Sequence, residues 1–148
     1  MIEIIVRGTP APQGSKTIGR HGGMRESSKA VKPWRERIAS ETQHVIDDDD
    51  CCPYTGPVRV RRWFLVRRPA GHYRTGRNAH LLRDSAPAFP ATVKRNDIDK
   101  LARAVLDGIT DGGAWTDDGQ VVDLRVSKHY AVAGGMTGAK IEITEVAG

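Results

Sequence analysis

The sequence predicts a small α+β domain in which two helices cover one face of a mixed or antiparallel sheet. Three observations support this prediction. Four segments alternate apolar and polar residues, two segments have apolar residues at helical spacing, and the length of 148 residues suits one hydrophobic core. The expected element order is β-α-β-α-β-β. We therefore expect a single domain over residues 1–148.

The N-terminal half holds the first three expected elements. Alternating apolar residues over 2–6 predict a strand. The following stretch, TPAPQGSKTIGRHGGMRESSKA, is rich in Pro, Gly, Ser and basic residues and is typical of a loop. A helix is expected to begin at Pro33, and the four aspartates at 47–50 are expected to end it. A long strand over 58–66 comes next, with arginines along one face.

The C-terminal half holds a long basic loop, a helix and two strands. Residues 68–95 are irregular and rich in Arg and His with interleaved aromatic residues, a composition typical of segments that contact nucleic acid. A solvated basic insertion is the alternative. Apolar residues at helical spacing predict a helix over 97–110, which two glycines end. Strands are expected around 122–130 and 141–143, and a glycine-rich turn between them suggests a hairpin.

Charge and cysteine content restrict the class of protein. The net charge of +5 favours a polyanionic partner such as nucleic acid. The two cysteines, Cys51 and Cys52, are adjacent, so we expect free thiols in a reducing compartment rather than a disulfide framework. The N-terminal sequence lacks a signal-peptide pattern, and no apolar run approaches the roughly 20 residues that span a bilayer. We expect a cytoplasmic protein without a membrane partner.

Two acidic clusters are the candidates for chemistry. Asp97 and Asp99 stand at the start of the second helix, and Asp117 and Asp118 precede the next strand. Converging carboxylates would form the all-oxygen site that Mg²⁺ prefers, and such a site supports phosphodiester cleavage by activating water and neutralising phosphate charge. Each pair also has a structural explanation, as acids favoured at a helix N-terminus or as an ordinary turn. The residues leave one-metal and two-metal mechanisms open.

The run DIDKLARAVLDGITDGGAWTDDGQVVDLRVSK resembles the core signature of the RusA family of Holliday junction resolvases. That signature has an Asp-x-Asp at the start of a helix, a later Asp on the same helix, an aromatic residue, and Asp-Asp-x-Gln-Val before a strand. The matching positions here are Asp97, Asp99, Asp107, Trp115, Asp117, Asp118, Gln120 and Val121. The segments PAPQGSK, GHYRTGRNAHLLRDSAP and IEITE are also similar to phage-type members.

The resemblance implies a homodimeric, Mg²⁺-dependent endodeoxyribonuclease that makes paired nicks across four-way junctions in DNA recombination and repair. Mn²⁺ is expected to substitute for Mg²⁺. The resemblance also implies that Asp97, Asp99 and Asp118 bind the metal, with Asp117 adjacent to the site or sharing it.

This sequence departs from the family at two basic positions. Members often have Asn directly after the second Asp and Lys four residues after it, whereas this chain has Lys100 and Arg103. Either residue is a candidate for the basic catalytic group, although Arg does not readily give up a proton. Arg103 could instead form an ion pair with Asp99 or Asp107. The candidate DNA-binding residues come from the two basic loops: Gln13, Ser15, Lys16, Arg20, Arg74, Arg77, Lys94 and Arg95.

Two alternative functions are compatible with the same residues. One is a less selective nuclease that debranches DNA intermediates, and the other is a DNA-binding protein without catalysis. The acidic clusters argue against the second alternative, because carboxylates repel phosphates unless a cation lies between them.

Overall fold

The computed structural model describes residues 1–14, 16–18, 24–26, 29–49, 53–92 and 95–148. Cys51 and Cys52 lie outside these ranges. The helices and strands of the described residues are, in chain order, β1 (Ile2–Arg7), β2 (Lys16–Ile18), β3 (Met24–Glu26), α1 (Val31–Asp49), β4 (Val58–Val66), α2 (Ile98–Asp111), β5 (Val121–Tyr130) and β6 (Gly138–Glu145). Short 3-10 turns occupy Ala70–His72, Gly76–Asn78 and Asp118–Gln120.

Four strands form one mixed sheet in the order β1-β6-β4-β5. β6 runs antiparallel to both β1 and β4, whereas β5 runs parallel to β4. The α+β class and the mixed sheet are therefore confirmed. β2 and β3 add a small antiparallel hairpin inside the segment that was expected to be a loop.

The hairpin expected between the last two strands is wrong, because β4 lies between β5 and β6. Burial explains the order. Ile141 and Ile143 of β6 are fully buried, so that strand takes a central position. Val122 and Leu124 of β5 are 62% and 43% exposed, which an edge strand tolerates.

The hydrophobic core lies between the sheet and the two helices. α2 buries its apolar side, as its spacing predicted, and α1 adds Trp34 and Ile38. The helices pack closely: a Cβ built at Gly108 of α2 would approach two side-chain atoms of Ile38 at 2.8 Å. The buried strand residues that complete the core are Ile2, Ile4, Val6, Val58, Val60, Phe64, Ile141 and Ile143.

Proline, aspartate and glycine residues lie near the ends of several helices and strands. α1 begins two residues before Pro33 and continues into the acidic run, while α2 ends at Gly112 as expected. Gly138 opens β6 with φ +142°, and a Cβ there would collide with the Val6 carbonyl oxygen. Glycine is therefore required where β6 meets β1.

The basic loop between β4 and α2 folds on itself. The Arg74 amide donates to the Leu81 carbonyl and the Arg83 amide to the His72 carbonyl, each at 2.8 Å. The loop packs on the end of β5, where the Arg68 guanidinium lies 4.2 Å from the centre of the Tyr130 ring. Among the described residues, no helix is both long and apolar enough to cross a membrane.

Candidate metal centre and nucleic-acid interface

The start of α2 follows an unusual backbone turn. Asn96 has φ +54°, a conformation that is uncommon outside glycine and concentrates at functional sites. Its carbonyl accepts a hydrogen bond from Lys128 Nζ at 3.0 Å, which ties the turn to β5. Asp97 precedes the helix, yet its side chain makes no capping hydrogen bond among the described residues. Its carboxylate lies 3.6 Å from Lys100 Nζ and is half exposed, so a ligand can reach it.

A cavity of about 270 Å³ opens beside this turn. The Gln13 amide donates to the Lys100 carbonyl at 3.1 Å, which fastens the N-terminal loop to α2. Gln13 Oε1 is buried and has no hydrogen-bond partner among the described residues, so it lacks a donor that a ligand or water would supply. The cavity is lined by Pro12, Gln13, Gly14, Arg95, Asn96, Asp97 and Lys100. It therefore combines a carboxylate with cations that suit a phosphate.

The charged side chains on the polar face of α2 differ in whether they form ion pairs within the described residues. Asp99 and Arg103 are exposed and one helical turn apart, and neither forms an ion pair within the described part of the chain. Asp107 lies 4.0 Å from Arg35, which also bonds to Asp111 at 3.0 Å. Asp107 thus connects α2 to α1. The ion pair considered for Arg103 is absent from the described structure, which leaves Asp99 and Arg103 available to a ligand.

Gln120 fixes the second acidic cluster in place. Its Oε1 accepts hydrogen bonds from the amides of Thr116 and Asp117, at 2.9 and 3.2 Å. Its Nε2 donates to the carbonyls of Tyr54 and Gly56, both at 3.0 Å. One side chain therefore holds the acidic turn against the segment that leads into β4. The family signature in the sequence includes Gln120, but the signature assigns this residue no role.

The two carboxylates of that turn differ in their bonding. Asp117 Oδ1 accepts from the Gly119 amide at 2.7 Å and caps the short 3-10 turn. Asp118 has no side-chain hydrogen bond or ion pair within the described residues. Asp117 therefore has a structural role, and Asp118 is the carboxylate that a ligand can use.

The two acidic clusters lie at opposite ends of β5. Asp118 comes just before Val121, where the strand begins, whereas the carbonyl next to Asp97 contacts Lys128 near its end. A strand rises about 3.3 Å per residue, so the span from Val121 to Lys128 is about 23 Å. α2, with 14 residues, covers a similar length. Accordingly, no group of three His, Cys, Asp or Glu side chains in the described residues could hold a metal ion.

The residues expected to bind DNA are placed in part. Gln13 and Arg95 line the cavity beside Asp97. Arg77 is exposed, whereas Arg74 is bonded to Asp84 at 3.0 Å within its own loop. Three others lie outside the described residues, and the fourth is described only in its backbone: Ser15, Arg20 and Lys94, and Lys16.

Sequence reasoning missed one residue that supports the site. Arg62 of β4 is 1% exposed and lies under α2, where Nη1 donates to the Ala102 carbonyl. Its Nε and Nη2 have no partner among the described residues, and burial lowers the pKa of Arg62 to about 9. The signal was present in the sequence, because Arg62 occupies an inward position of a strand that is otherwise apolar on that face.

Comparison with known proteins gives the family of this chain. The family profile described as "Endodeoxyribonuclease RusA" matches residues 7–144. "Crossover junction endodeoxyribonuclease RusA" from Escherichia coli strain K12 is 43% identical over 53 residues, which are 36% of this chain and 42% of the relative. The protein of that name from Enterobacteria phage 82 has the same identity and coverage.

The chain thus spans about two fifths of the length of the curated relatives it matches. The family profile, in contrast, covers nearly all of the chain. This chain therefore belongs to the RusA endodeoxyribonuclease family.

Proposed function

We propose that this protein is a Mg²⁺-dependent endodeoxyribonuclease that resolves four-way DNA junctions by paired cleavage in recombination and repair. The observation that carries the proposal is the accessible carboxylate of Asp97 in a cavity lined by Arg95 and Lys100, with Asp99 exposed in the first turn of the helix that follows. The family supplies the substrate class, since the relatives are named as crossover junction endodeoxyribonucleases. We place the enzyme in the cytoplasm, together with its DNA substrate.

The available carboxylates suit a divalent cation. Asp97 does not cap α2, and Asp99 has no partner in the described structure, so both can offer the hard oxygen atoms that Mg²⁺ prefers. When bound, Mg²⁺ supplies an activated water and neutralises charge on the phosphate. Mn²⁺ is expected to substitute because it accepts the same kind of oxygen ligand. Asp118 is the candidate for a third carboxylate.

A second copy of the chain is our proposed source of that third carboxylate. Within one chain, Asp118 and Asp97 stand at the two ends of a span of about 23 Å along β5, which is too far for both to bind one ion. A two-fold dimer can place the Asp118 end of one copy beside the Asp97 end of the other. Each dimer then has two equivalent sites, which suits paired cuts. Asp117 remains in its turn as a neighbour of the site.

The basic residues near the acidic pair have different proposed roles. Arg103 lies one turn after Asp99 and carries a permanent charge, so it stabilises negative charge that develops on the phosphate. Lys100 contacts Asp97 and orients its carboxylate. Gln13 and Arg95 face the same cavity and position the DNA backbone rather than select its sequence.

A junction cleavage assay tests the proposal. The protein should nick a synthetic four-way junction in Mg²⁺ or Mn²⁺, lose this activity in EDTA, and act less on linear duplex and single strands. Asp99→Asn should abolish cutting and retain junction binding. Asp107→Asn is the matched control, since that carboxylate contacts Arg35 instead of facing the site, and it should still cut.

Each other outcome favours a different function. Equal cutting of linear duplex would replace the proposal with a less selective nuclease. Junction binding without cleavage in either metal, over several junction sequences, would replace it with a DNA-binding protein.

A further inference from the structure

We propose that a cavity of about 470 Å³ under the basic loop binds one unpaired nucleotide of the DNA substrate. The cavity lies between the basic loop and the segment that connects β5 to β6. None of the residues that the sequence predicts to bind DNA lines it. The inference rests on the DNA substrate of the proposed function, and it adds a nucleotide site outside the metal centre.

The cavity lies at the same edge of the sheet as Asp97. β6 runs antiparallel to β1 and β4, and β5 runs parallel to β4, so β1, β4 and β5 all end at this edge. Residues that directly follow β4 and β5 line the cavity. α2 begins at the same edge, since Lys128 near the end of β5 contacts the Asn96 carbonyl. The cavity and the metal centre can therefore contact one DNA molecule.

Shared wall residues connect this cavity to the one beside Asp97. A third cavity, of about 330 Å³, shares Asn96 with the cavity beside Asp97 and shares Arg67 and Thr137 with the cavity under the loop. The three cavities thus form a row along the ends of the strands. From β1 to β5 the sheet has three strand spacings, or about 14 Å. Nucleotides lie about 3.4 Å apart along a stacked strand, so the row suits a few nucleotides of one strand.

Two aromatic rings in the cavity suit a base. Tyr73 and His80 line it, and neither ring has a hydrogen bond or a ring contact within the described residues. The backbone of Tyr73 is fixed, because its amide donates to the Ala70 carbonyl at 3.1 Å and its carbonyl accepts from Arg83 Nε at 2.9 Å. Every base has a flat face that stacks on such rings. An unpaired base costs least to place there, because no base pair has to be opened.

Arg67 supplies a cation for the phosphate of that nucleotide. Its side chain is exposed and forms no ion pair or hydrogen bond within the described residues. Arg68 also lines the cavity, but its Nη1 donates to the Pro87 carbonyl at 2.7 Å and its guanidinium lies over the Tyr130 ring. No carboxylate of the described structure lines this cavity, in contrast to the one beside Asp97. Arg68 therefore holds the loop, and Arg67 is available to a phosphate.

Photocrosslinking in EDTA tests the site without cleavage. Four-way junctions carry 5-iodouracil at one position at a time around the crossover, and irradiation joins this base to an aromatic ring that lies against it. Trypsin cleaves after Arg74 and Arg77, so Tyr73 and His80 fall in separate peptides that mass spectrometry can distinguish.

We expect crosslinks to Tyr73 or His80 from one or two neighbouring positions of a strand. A roughly ten-fold excess of thymidine monophosphate over the junction should not remove them. Crosslinks confined to Phe89, which is 60% exposed on the same loop and does not line the cavity, would overturn the site. Absence of any crosslink would do the same. Loss of the crosslink to the monophosphate would show a site for a free nucleotide instead.

Substitution of Tyr73 tests stacking. Tyr73→Ala should weaken junction binding in EDTA by about 5-fold to 150-fold, the range measured for loss of one stacked base. Tyr73→Phe keeps the ring and should bind within about two-fold of the wild type. Leu81→Ala is the matched control, because Leu81 is exposed on the same loop and does not line the cavity. Equal binding by Tyr73→Ala and Tyr73→Phe would exclude stacking on this ring.

The salt dependence of binding tests Arg67. Loss of one phosphate contact should reduce the slope of log K against log salt by about 0.7–0.9 in Arg67→Ala. Arg67→Lys keeps the charge and should keep the slope. An unchanged slope in Arg67→Ala would exclude the phosphate contact.

Failure of the nucleotide site and failure of the nuclease proposal are distinguishable. If the protein cuts junctions but gives no crosslink to Tyr73 or His80, the nucleotide site is wrong and the nuclease stands. If the crosslinks form as expected and no junction is cut in Mg²⁺ or Mn²⁺, the nucleotide site stands and the nuclease proposal is wrong.

Discussion

Arg62→Met is expected to stabilise the fold and to slow cleavage. The Arg62 guanidinium is buried under α2 with one hydrogen bond, to the Ala102 carbonyl, and two nitrogen atoms without partners in the described structure. A buried charge without a carboxylate is costly, and an apolar side chain of similar length removes that cost. The contact also holds the first turns of α2, which carry Asp97 and Asp99. Stability and activity should therefore change in opposite directions.

The size of the effect follows from the pKa of Arg62. Burial lowers this pKa from its ordinary value to about 9. At about 1.4 kcal/mol for each pH unit, the charged form loses about 5 kcal/mol on burial. The loss of the hydrogen bond to the Ala102 carbonyl destabilises the variant by up to about 3 kcal/mol. Arg62→Met should thus gain about 2 kcal/mol, which raises Tm by about 4–8 °C for a chain of this size.

Urea unfolding at several pH values measures this prediction. The folded-state pKa of Arg62 is below its unfolded value, so the cost of the buried charge is fully present below pH 9. That cost declines as the pH rises through 9 towards the unfolded pKa. The stability difference between the variant and the wild type should narrow over that range. Arg67→Met, at an exposed position, is the control and should change stability by less than about 0.5 kcal/mol. A less stable Arg62→Met protein, or a difference that is constant from pH 7 to 11, would refute the reasoning.

Three further predictions concern single side chains. Gln120→Glu should lower stability by about 2 kcal/mol in urea unfolding and reduce junction cleavage, because a carboxylate oxygen would face two carbonyls; unchanged stability would contradict the anchoring role. Gly108→Ala should cost about 1–3 kcal/mol by pushing the two helices apart, whereas Gly71→Ala, with no described atom within 4 Å, should be neutral; equal effects would disprove the close packing. The hydrogen bond from Arg59 lowers the pKa of Asp123, so the stability it contributes is present above about pH 4 and lost as the pH falls through the lowered pKa. Asp123→Asn should therefore flatten the acid side of the stability curve, and an unchanged curve would exclude this contribution.

Local patterns were enough to predict most of the elements. Alternation identified β4, and helical spacing with a glycine stop identified α2, because each pattern reflects burial on one face. The pairing of β5 could not be predicted in this way. Nearness in sequence favoured a hairpin with β6, whereas the more complete burial of β6 placed it between β1 and β4.

The candidate site was predictable in its chemistry and not in its geometry. Residue type and spacing identified the two acidic clusters, and the family resemblance singled out Asp97, Asp99 and Asp118 as the expected metal ligands. Their separation along β5 depends on strand order, which the sequence pattern does not contain. The sequence also does not show which carboxylates already have partners. Asp107 forms an ion pair with Arg35, and Asp117 accepts a hydrogen bond within its own turn.

Mixing two inactive variants tests most directly whether the metal site is shared between copies. Asp97→Asn and Asp118→Asn are each expected to bind junctions without cutting them. A mixed dimer has one site with both changes and one site with neither, so co-refolding equal amounts should restore about a quarter of the wild-type sites. Such dimers should make single nicks and not paired cuts. A mixture as inactive as its components would contradict the shared site, and so would cutting by either variant alone.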